Sequence, residues 1–330
     1  MRILVPGGAG FIGSNFVHTL HHERPSWEVT VLDAMTYAAN PATVAGFPTG
    51  TEVVAGSITD ATLVDRLVRS HEVVVNFAAE SHNDAALASP EPFVQTNVVG
   101  TFTLLEACRS HGARFHHVST DEVFGDLPLG TPEAFTEATP LRPSSPYSAT
   151  KAGGDVLVGA WARSFGVQAT VSRCSNNFGP FQHVEKFIPR QITTLLDGGR
   201  PQVYGTGANV RDWIHVDDHN SAVLALLDQG VPGKAYLIGA RCEKSNLDVV
   251  RTLLELFGLA PDFYDLVADR PGHDLRYAID PSLLEGDTGW APAHTDFHSA
   301  LKETVDWYRD NEQWWRPTKA ATEEFYRSRA

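Results

Sequence analysis

A tyrosine and a lysine four residues apart have the types and spacing of a catalytic pair. Tyr147 and Lys151 lie in the stretch PYSATK, where a predicted helix begins. A spacing of four residues puts both side chains on one face of that helix. Because a neighbouring ammonium lowers the pKa of a phenol, Tyr147 would then be a base near neutral pH. The same spacing is also typical of a solvated surface pair, which stays open as the alternative.

Thr120, Asp121 and Glu122 form a second group, directly after the predicted strand 115–119. α/β folds place ligands at the carboxyl ends of their parallel strands. Two adjacent, partly buried carboxylates repel each other, so one can hold a proton while the other is ionised. Such a pair suits acid–base catalysis. A solvated turn with helix-capping acids is the alternative.

Gly7, Gly10 and Gly13 form a GxxGxxG pattern between a predicted strand and a predicted helix. Such glycines let the backbone approach a pyrophosphate, which the N–H groups of the helix N-terminus can bind. Asp33 follows 20 residues after Gly13, where a carboxylate accepts hydrogen bonds from a ribose diol and repels a 2′-phosphate. No Arg or Lys occurs at 34–40. The pattern predicts an NAD site rather than an NADP site, with a structural glycine turn and a surface aspartate as the alternative.

These groups need a scaffold, and the first half of the chain alternates short apolar strands with helices. Strands are predicted at 2–5, 29–32, 52–54, 73–77, 115–119 and 167–173, and helices at 11–22, 59–69, 93–111 and 147–165. Thr59 is the candidate cap of the second helix, and Gly112 closes the third. The alternation predicts an α/β fold, a doubly wound (Rossmann) parallel sheet covered on both faces.

The pattern loosens after about residue 175, where prolines and glycines become frequent. Helical patches recur at 216–227, 247–257 and 297–311. We predict an NAD-binding domain at 1–175 and a smaller, mixed α/β substrate-binding lobe at 176–330, some segments of which return to the first domain.

The composition excludes several classes of protein. In 330 residues, 42% are hydrophobic and 20% charged, which is typical of a globular protein. A net charge of −14 argues against nucleic-acid and acidic-membrane partners, so an anionic ligand needs local cations or backbone N–H groups. Three cysteines without a CxxC pair predict no metal cluster and no disulfide, as expected in the cytoplasm. No run reaches about 18 apolar residues, so we expect no membrane-spanning helix.

Longer stretches resemble the extended short-chain dehydrogenase/reductase family, in particular its nucleotide-sugar 4,6-dehydratases of the dTDP-glucose type. The resemblance covers essentially the whole chain. It includes GGAGFIGS (7–14), FAAESH (77–82), VSTDEVFGD (118–126), PSSPYSATKAG (143–153) and VYGTGANVRDWIHVDDH (203–219). TDEVFG is the most specific stretch, because sister epimerases usually carry a Ser in place of Asp-Glu.

The resemblance implies a reaction and a role for each catalytic residue. Tyr147, assisted by Thr120 and Lys151, takes the proton from the sugar 4-hydroxyl while hydride passes from carbon 4 to NAD+. Glu122 then removes the proton at carbon 5, and Asp121 protonates the departing 6-hydroxyl. Hydride returns to carbon 6, so NAD+ is regenerated in each turnover. With dTDP-glucose as substrate, the product is dTDP-4-keto-6-deoxyglucose.

The resemblance also implies two sets of binding residues, in which Arg211 and Lys186 lie near the diphosphate. The implied NAD contacts are Gly7, Gly10, Phe11, Ile12, Gly13, Asp33, Thr36, Ser57, Ile58, Ala78, Ala79, Ser81, Thr96, Tyr147, Lys151 and Asn177. The implied nucleotide-sugar contacts are Ser81, Thr120, Asp121, Glu122, Asn176, Lys186, Phe187, Tyr204, Arg211, Asn246, Arg270 and His273. His82 and His215 have no evident catalytic partner and are interpreted as structural.

The chain departs from the family pattern at residues 80–86. The family usually has ESHVDRS where this chain has ESHNDAA, so Asn83 replaces a Val, Ala85 an Arg and Ala86 a Ser. We expect these changes to affect sugar specificity or local salt bridges. Ser57 stands where the family places an Asp facing adenine, with the expected loss of one hydrogen bond.

Other functions on the same fold remain alternatives. A 4-epimerase or a uronate decarboxylase would need Tyr147 and Lys151 but not the adjacent acid and base. A binding protein that lost the reaction is an alternative of another class, against which the intact catalytic groups argue.

Two helices predict a self-association surface. Helices 93–111 and 147–165 carry more apolar residues than one sheet face needs, and family members pair these helices in a homodimer. Packing within one chain is the alternative.

Overall fold

A parallel sheet lies at the centre of the structure, a computed structural model that describes residues 1–269 and 273–327. The strands are β1 Arg2–Pro6, β2 Glu28–Asp33, β3 Glu52–Ala55, β4 Val73–Asn76, β5 Arg114–Thr120, β6 Ala169–Cys174, β7 Asn176–Phe178, β8 Gln202–Tyr204, β9 Val210–His215, β10 Ala235–Ile238, β11 Glu243–Ser245 and β12 Asp265–Val267.

The helices in chain order are α1 Phe11–Glu23, α2 Pro41–Ala45, α3 Ala61–Val68, α4 Asn83–Ala88, α5 Glu91–Phe93, α6 Thr101–His111, α7 Pro146–Phe165, α8 Phe187–Leu196, α9 Val216–Gln229, α10 Asn246–Leu256, α11 Ser282–Thr288, α12 Phe297–Asp310 and α13 Glu312–Arg327. A π-helical segment, Val94–Gly100, joins α5 to α6, and a 3₁₀ turn, Asp121–Phe124, follows β5.

The central sheet has seven strands in the order β10-β6-β5-β4-β1-β2-β3, and its neighbours pair in parallel. Apolar side chains of α1, α9 and α11 pack on one face, and those of α3, α6 and α7 pack on the other. Both faces are therefore covered, which explains the apolar runs of β1, β4 and β10. The predicted doubly wound α/β fold is confirmed.

The second half of the chain contributes to two regions. Strand β10 pairs with β6 at the edge of the central sheet. Two smaller sheets, β11-β9-β7 and β12-β8, lie with α8, α10 and α12 around a separate apolar cluster that includes Trp213 and Trp315. The division at residue 175 stays a prediction.

The prediction of one continuous α-helix at 93–111 is wrong, because residues 94–100 form the π-helical segment and only Thr101–His111 is α-helical. Within that segment, Asn97 Oδ1 accepts from Glu80 N at 2.9 Å, and Asn97 Nδ2 donates to Glu80 O at 3.0 Å and to Thr150 Oγ1 at 2.9 Å. These bonds fix the wider turn against α7 and the loop after β4. The predicted end is confirmed, since Gly112 closes α6 with a φ of 73°.

The predicted cap Thr59 is also wrong. Asp60 Oδ1 accepts from Thr62 N and Leu63 N, both at 3.0 Å, and so caps α3. A carboxylate at this position also complements the helix dipole, and Asp is among the strongest N-cap residues.

Across the described part of the chain, no helix combines the length and the apolar character that crossing a bilayer requires.

Candidate active site

The glycine turn between β1 and α1 leaves no room for a side chain at Gly7 or Gly13. Gly7 has a φ of 77°, and a Cβ there would lie 2.4 Å from Ala78 N. A Cβ on Gly13 would lie 2.3 Å from Gly7 O. Gly10 is the N-cap of α1 and has no capping side chain, so the first N–H groups of the helix, at Phe11 and Ile12, have no side-chain cap. This turn fits a pyrophosphate.

Asp33 ends β2 beside the glycine turn. Its Oδ2 accepts from Ala9 N at 3.0 Å and its Oδ1 from Met35 N at 2.8 Å. Burial raises the pKa of the Asp33 carboxyl, although the two backbone hydrogen bonds lower it in part. A carboxylate fixed in this way keeps lone pairs that can accept from a ribose diol, and it repels a phosphate.

One cavity runs along the carboxyl ends of β1, β2 and β4, and most of the predicted NAD contacts line it. Those that line it are Gly7, Gly10, Asp33, Thr36, Ser57, Ile58, Ala78, Ala79 and Thr96. Gly13 supports the turn from within α1, and Asn177 is buried on β7 with its Oδ1 lacking a hydrogen-bond partner among the described residues. The uncapped helix, the glycines and Asp33 together suit NAD.

The acidic pair follows β5, where the chain turns into the 3₁₀ segment. Thr120 Oγ1 accepts from Glu122 N at 3.2 Å and lies 3.3 Å from Asp121 Oδ1. Asp121 is 1% exposed, and its Oδ2 has no hydrogen-bond partner among the described residues. Burial, with the charges of Glu122 and Asp212, raises the pKa of Asp121 well above its usual range. Asp121 is therefore a carboxylic acid that can keep its proton at neutral pH.

Tyr147 and Lys151 are buried on the first turns of α7, so the surface-pair alternative is wrong. Burial is the largest cause that raises the pKa of Tyr147 well above its usual range, and the charges of Glu122 and Cys174 raise it further. A hydrogen bond with Thr120 lowers it. The expected lowering by Lys151 is not found. Lys151 Nζ instead donates to Val118 O at 2.7 Å.

The Lys151 ammonium lies in a buried polar cluster that sequence reasoning missed. Burial lowers the pKa of Lys151 to about 8, although the negative charge of Asp155 raises it in part. Asp155 Oδ2 accepts from Arg173 Nε at 2.8 Å, and Asp155 Oδ1 lies 3.7 Å from His117 Nε2. The cluster fixes the lysine end of the pair.

A second cavity opens between the sheet edge and the second half of the chain. Of the predicted substrate contacts, its wall holds Ser81, Glu122, Asn176, Lys186, Phe187, Tyr204, Arg211, Asn246 and His273. Thr120 and Asp121 are buried beside Glu122. Arg270 lies outside the described residues. The structure thus brings most of both predicted sets together.

Two predicted phosphate-binding cations lie in this wall. Arg211, on β9, donates to Val210 O at 2.7 Å and Asp274 O at 3.0 Å, and its Cζ lies 4.3 Å from the ring centre of Tyr277. Lys186, the N-cap of α8, donates to Ser81 O at 3.0 Å. Both side chains are held in place at the cavity.

Sequence reasoning missed other residues of this wall. They include Glu185, Arg190, Trp213 and Tyr277, whereas Asn83, also in the wall, was named only as a departure from the family pattern. Arg190 lies one turn after Lys186 on α8, so the spacing of the two cations was the available signal.

The two histidines interpreted as structural cap helices. His82 Nδ1 accepts from Ala85 N at 3.2 Å at the start of α4, and His215 Nδ1 accepts from Asp217 N at 3.4 Å at the start of α9. Burial lowers the pKa of His215 to about 4. His82 also lies in the wall of the second cavity, so the structural interpretation of the two histidines stays a prediction.

Comparisons with known proteins agree with this geometry. The family model described as GDP-mannose 4,6 dehydratase matches residues 4–304. The dTDP-glucose 4,6-dehydratase of Mycobacterium tuberculosis is 63% identical over 329 residues, which cover 100% of this chain and 99% of the relative.

Solved structures share the fold. The dTDP-glucose 4,6-dehydratase DesIV of Streptomyces venezuelae, crystallised with NAD bound, has a TM-score of 0.92 at 45% identity, covering 96% of this chain and 100% of that one. The UDP-glucose 4-epimerase of Thermotoga maritima has a TM-score of 0.87 at 26% identity, covering 94% and 100%. Fold alone therefore does not separate the two reactions, whereas identity and the Thr-Asp-Glu group favour the dehydratases. This chain belongs to the nucleotide-sugar 4,6-dehydratase family, with the dTDP-glucose 4,6-dehydratases among its relatives.

Proposed function

We propose that this protein is an NAD-dependent dTDP-glucose 4,6-dehydratase, a hydro-lyase that forms dTDP-4-keto-6-deoxyglucose. The observation that carries the proposal is the adjacent acid and base. Asp121 is buried and its pKa is raised, while Glu122 lies in the cavity wall. An elimination needs both groups, and a 4-epimerase needs neither.

NAD is the proposed cofactor, supported by the glycine turn, the uncapped start of α1 and Asp33. When bound, NAD+ supplies the hydride acceptor and later donor, together with a positive charge that favours the phenolate of Tyr147. The protein's own residues supply the protons and hold the sugar.

In the oxidation step, Tyr147 accepts the proton of the sugar 4-hydroxyl, assisted by Thr120, which opposes the rise in the pKa of Tyr147. Lys151, held by Val118 O, fixes this end of α7. The resulting 4-keto group acidifies the proton at carbon 5.

In the elimination step, Glu122 takes the carbon 5 proton and Asp121 gives its proton to the 6-hydroxyl, which leaves as water. Reduction at carbon 6 follows, and Glu122 returns its proton to carbon 5. The cycle ends with one extra proton on Tyr147 and one missing from Asp121. A single proton transfer between them resets the site.

The substrate diphosphate is proposed to lie against Arg211, Lys186 and Arg190. These three cations share the wall of the second cavity. An Arg fork matches phosphate oxygens, so local cations can bind a dianion in a chain whose net charge is −14.

We also propose a homodimer through α6, α7 and the π-helical segment, and a cytoplasmic location. Support for the dimer comes from exposed apolar side chains, namely Val94, Val99, Phe102, Val156 and Phe165. Support for the cytoplasm comes from the free thiols of Cys108, Cys174 and Cys242. The domain division at residue 175 remains a proposal as well.

The test is incubation of the purified protein with dTDP-glucose deuterated at carbon 4. We expect a product lighter by one water, with the deuterium at carbon 6 by NMR. A mixture of dTDP-glucose and its 4-epimer would overturn the dehydratase proposal in favour of the epimerase. Unchanged substrate from a protein that retains NAD would favour the binding protein.

A further inference from the structure

Asn83 is in contact with the proposed base. It is the first residue of α4 and lies in the wall of the second cavity together with Glu122. Asn83 Nδ2 donates to Glu122 Oε2 at 3.1 Å, and Asn83 Oδ1 accepts from Ser145 Oγ at 3.1 Å. The amide therefore connects the base to the N-cap of α7, the helix that carries Tyr147.

The surrounding hydrogen bonds determine which way the Asn83 amide faces. Ser145 and Ser148 form a capping box, in which Ser148 N donates to Ser145 Oγ and Ser145 N donates to Ser148 Oγ. The Ser148 hydroxyl donates to Ser145 O at 3.1 Å. The Ser145 hydroxyl proton can then go to Asn83 Oδ1, which directs the amide N–H groups toward Glu122.

The helix that carries Asn83 is itself held in place. His82 caps it, and Ala86 is fully buried in a small cluster with Phe93 and Tyr147. The donor at Asn83 thus has a defined position relative to both Glu122 and Tyr147.

We propose that Asn83 is a positioning residue, which keeps the Glu122 carboxylate ionised and aligned for proton abstraction at carbon 5. The physical reason is that a hydrogen bond donated to a carboxylate favours its charged form. The catalytic part of this proposal rests on the proposed function, since it assigns Asn83 to the elimination step. The residue is also one of the departures from the family pattern, where a Val cannot donate.

Other charged and titratable groups face Glu122, and they are common to every variant compared below. Asp121, Tyr147 and Tyr277 interact with it electrostatically. Further ionisable residues in the same cavity wall are His82, Asp84, Glu185, Lys186, Arg190, Arg211 and His273.

Two variants separate positioning from a structural role. Asn83→Val removes both hydrogen bonds. Asn83→Asp keeps an acceptor for Ser145 but presents a negative charge to Glu122. If Asn83 positions Glu122, Asn83→Asp should disturb the ionisation of Glu122 more than Asn83→Val does. If Asn83 only links α4 to α7, Asn83→Val should have the larger effect.

The first readout does not need catalysis. Difference infrared spectra between each protein and its Glu122→Gln counterpart report the protonation of Glu122 during a pH titration. We expect the titration midpoint to rise by roughly one pH unit in Asn83→Val and by more in Asn83→Asp. Equal midpoints in all three proteins would overturn the inference.

The second readout is the elimination step in a single turnover with dTDP-glucose. The acid limb of its pH–rate profile is expected to move upward in the same order, and the rate of elimination is expected to fall more than the rate of carbon 4 oxidation. A parent protein that makes no keto sugar would overturn the proposed function, and the infrared titration would still decide whether Asn83 controls Glu122. A profile that moves only in Asn83→Val, together with a lower melting temperature, would overturn positioning in favour of the structural role.

Discussion

Two adjacent carboxyl groups have different surroundings because the chain buries Asp121 and leaves Glu122 in the cavity wall. Asp121 lies under the 3₁₀ turn, where burial and the charges of Glu122 and Asp212 raise its pKa. Glu122 accepts a hydrogen bond from Asn83 Nδ2. These different surroundings suit the proposed division of roles, in which Asp121 is the acid and Glu122 the base.

Substitution of either carboxyl group should stop the elimination but not the oxidation. For Glu122→Gln and Asp121→Asn we expect turnover to fall about 10²–10⁴-fold, as is usual for a lost general acid or base. Reduced cofactor should accumulate after dTDP-glucose is added, because carbon 4 oxidation still occurs. Stopped-flow absorbance of NADH measures this, with the exposed Glu133→Gln as control. Full turnover by Glu122→Gln would contradict its assignment as the base.

The buried Lys151 should make stability depend on pH in a defined direction. Its pKa is lowered from 10.5 to about 8 in the folded protein, so between these values the unfolded chain binds more protons. The free energy of unfolding must then rise with pH, by about 3 kcal/mol across the interval. Below pH 8 both states are protonated, so stability no longer depends on pH through Lys151, and the cost of the buried ammonium is fully present.

Comparing the parent protein with Lys151→Met isolates the contribution of Lys151 to the pH dependence of stability, because the two proteins share all other titrating groups. Urea unfolding at pH 7 and pH 10 should show the parent gaining stability relative to the variant at the higher pH. A difference between the two proteins that is the same at both pH values would mean that the ammonium is not desolvated as the structure indicates.

At the scale of elements, the turn between β1 and α1 combines a strand end, a tight turn and a helix start. Gly13 contacts the backbone of Gly7, whereas Gly10 faces more open space. A Cβ on Gly10 would lie 3.4 Å from Gly7 O, compared with 2.3 Å for a Cβ on Gly13.

The two glycines therefore form a matched pair for a test of packing. Gly13→Ala should lower the melting temperature and weaken NAD binding at least tenfold, since backbone must shift to admit the methyl group. Gly10→Ala should melt within a few degrees of the parent. Calorimetric scans and NAD titrations would measure both effects. A Gly13→Ala protein as stable as Gly10→Ala would show that the turn relaxes without cost.

The sequence predicts elements well where local pattern and tertiary packing agree. Strands β1 and β4 each hold a run of three apolar residues, Ile3–Val5 and Val73–Val75, and α7 has Ser145 and Gly166 at its ends, so each is correctly predicted. The π-helical segment is not visible in the sequence, because Asn97 selects that turn through bonds to Glu80 and Thr150, residues remote in the chain.

The second half was predicted less completely for physical reasons. Strands β7, β8, β11 and β12 have three residues each, too few for a periodic pattern. Helix α13 includes Pro317, a residue that usually ends a helix. For the site, motif residues such as Tyr147 were found, but Asn83 was noted only as a departure, since its role depends on a contact with Glu122 across 39 positions.

At the scale of the whole molecule, surface composition rather than fold decides what the protein associates with. Phe102, on α6, packs edge-on against Trp161 of α7, and Trp161 packs in turn against Phe165, with ring centres 5.7 and 5.4 Å apart. Phe102 and Phe165 are nonetheless 43% and 48% exposed. This aromatic strip is an exposed apolar surface of the kind that interfaces use, and Val156 is a further exposed apolar residue on α7.

A charge placed on the exposed face of α7 should separate the subunits of the proposed dimer. Val156 is 60% exposed on α7, and we expect Val156→Asp to convert a dimer to a monomer at micromolar concentration, because the new carboxylate would be buried at the interface. Leu266→Asp is the matched control, since Leu266 is 59% exposed on β12, away from this surface. It should remain dimeric.

Sedimentation velocity at two salt concentrations measures both the association and its electrostatic cost. Each copy has a net charge of −14, so the parent dimer should tighten as salt screens the repulsion between subunits. Added salt should not restore the Val156→Asp dimer, because screening does not remove the desolvation penalty of a buried carboxylate. A parent protein that sediments as a monomer, or a Leu266→Asp protein that dissociates as readily as Val156→Asp, would contradict this interface and return the apolar strip to packing within one chain.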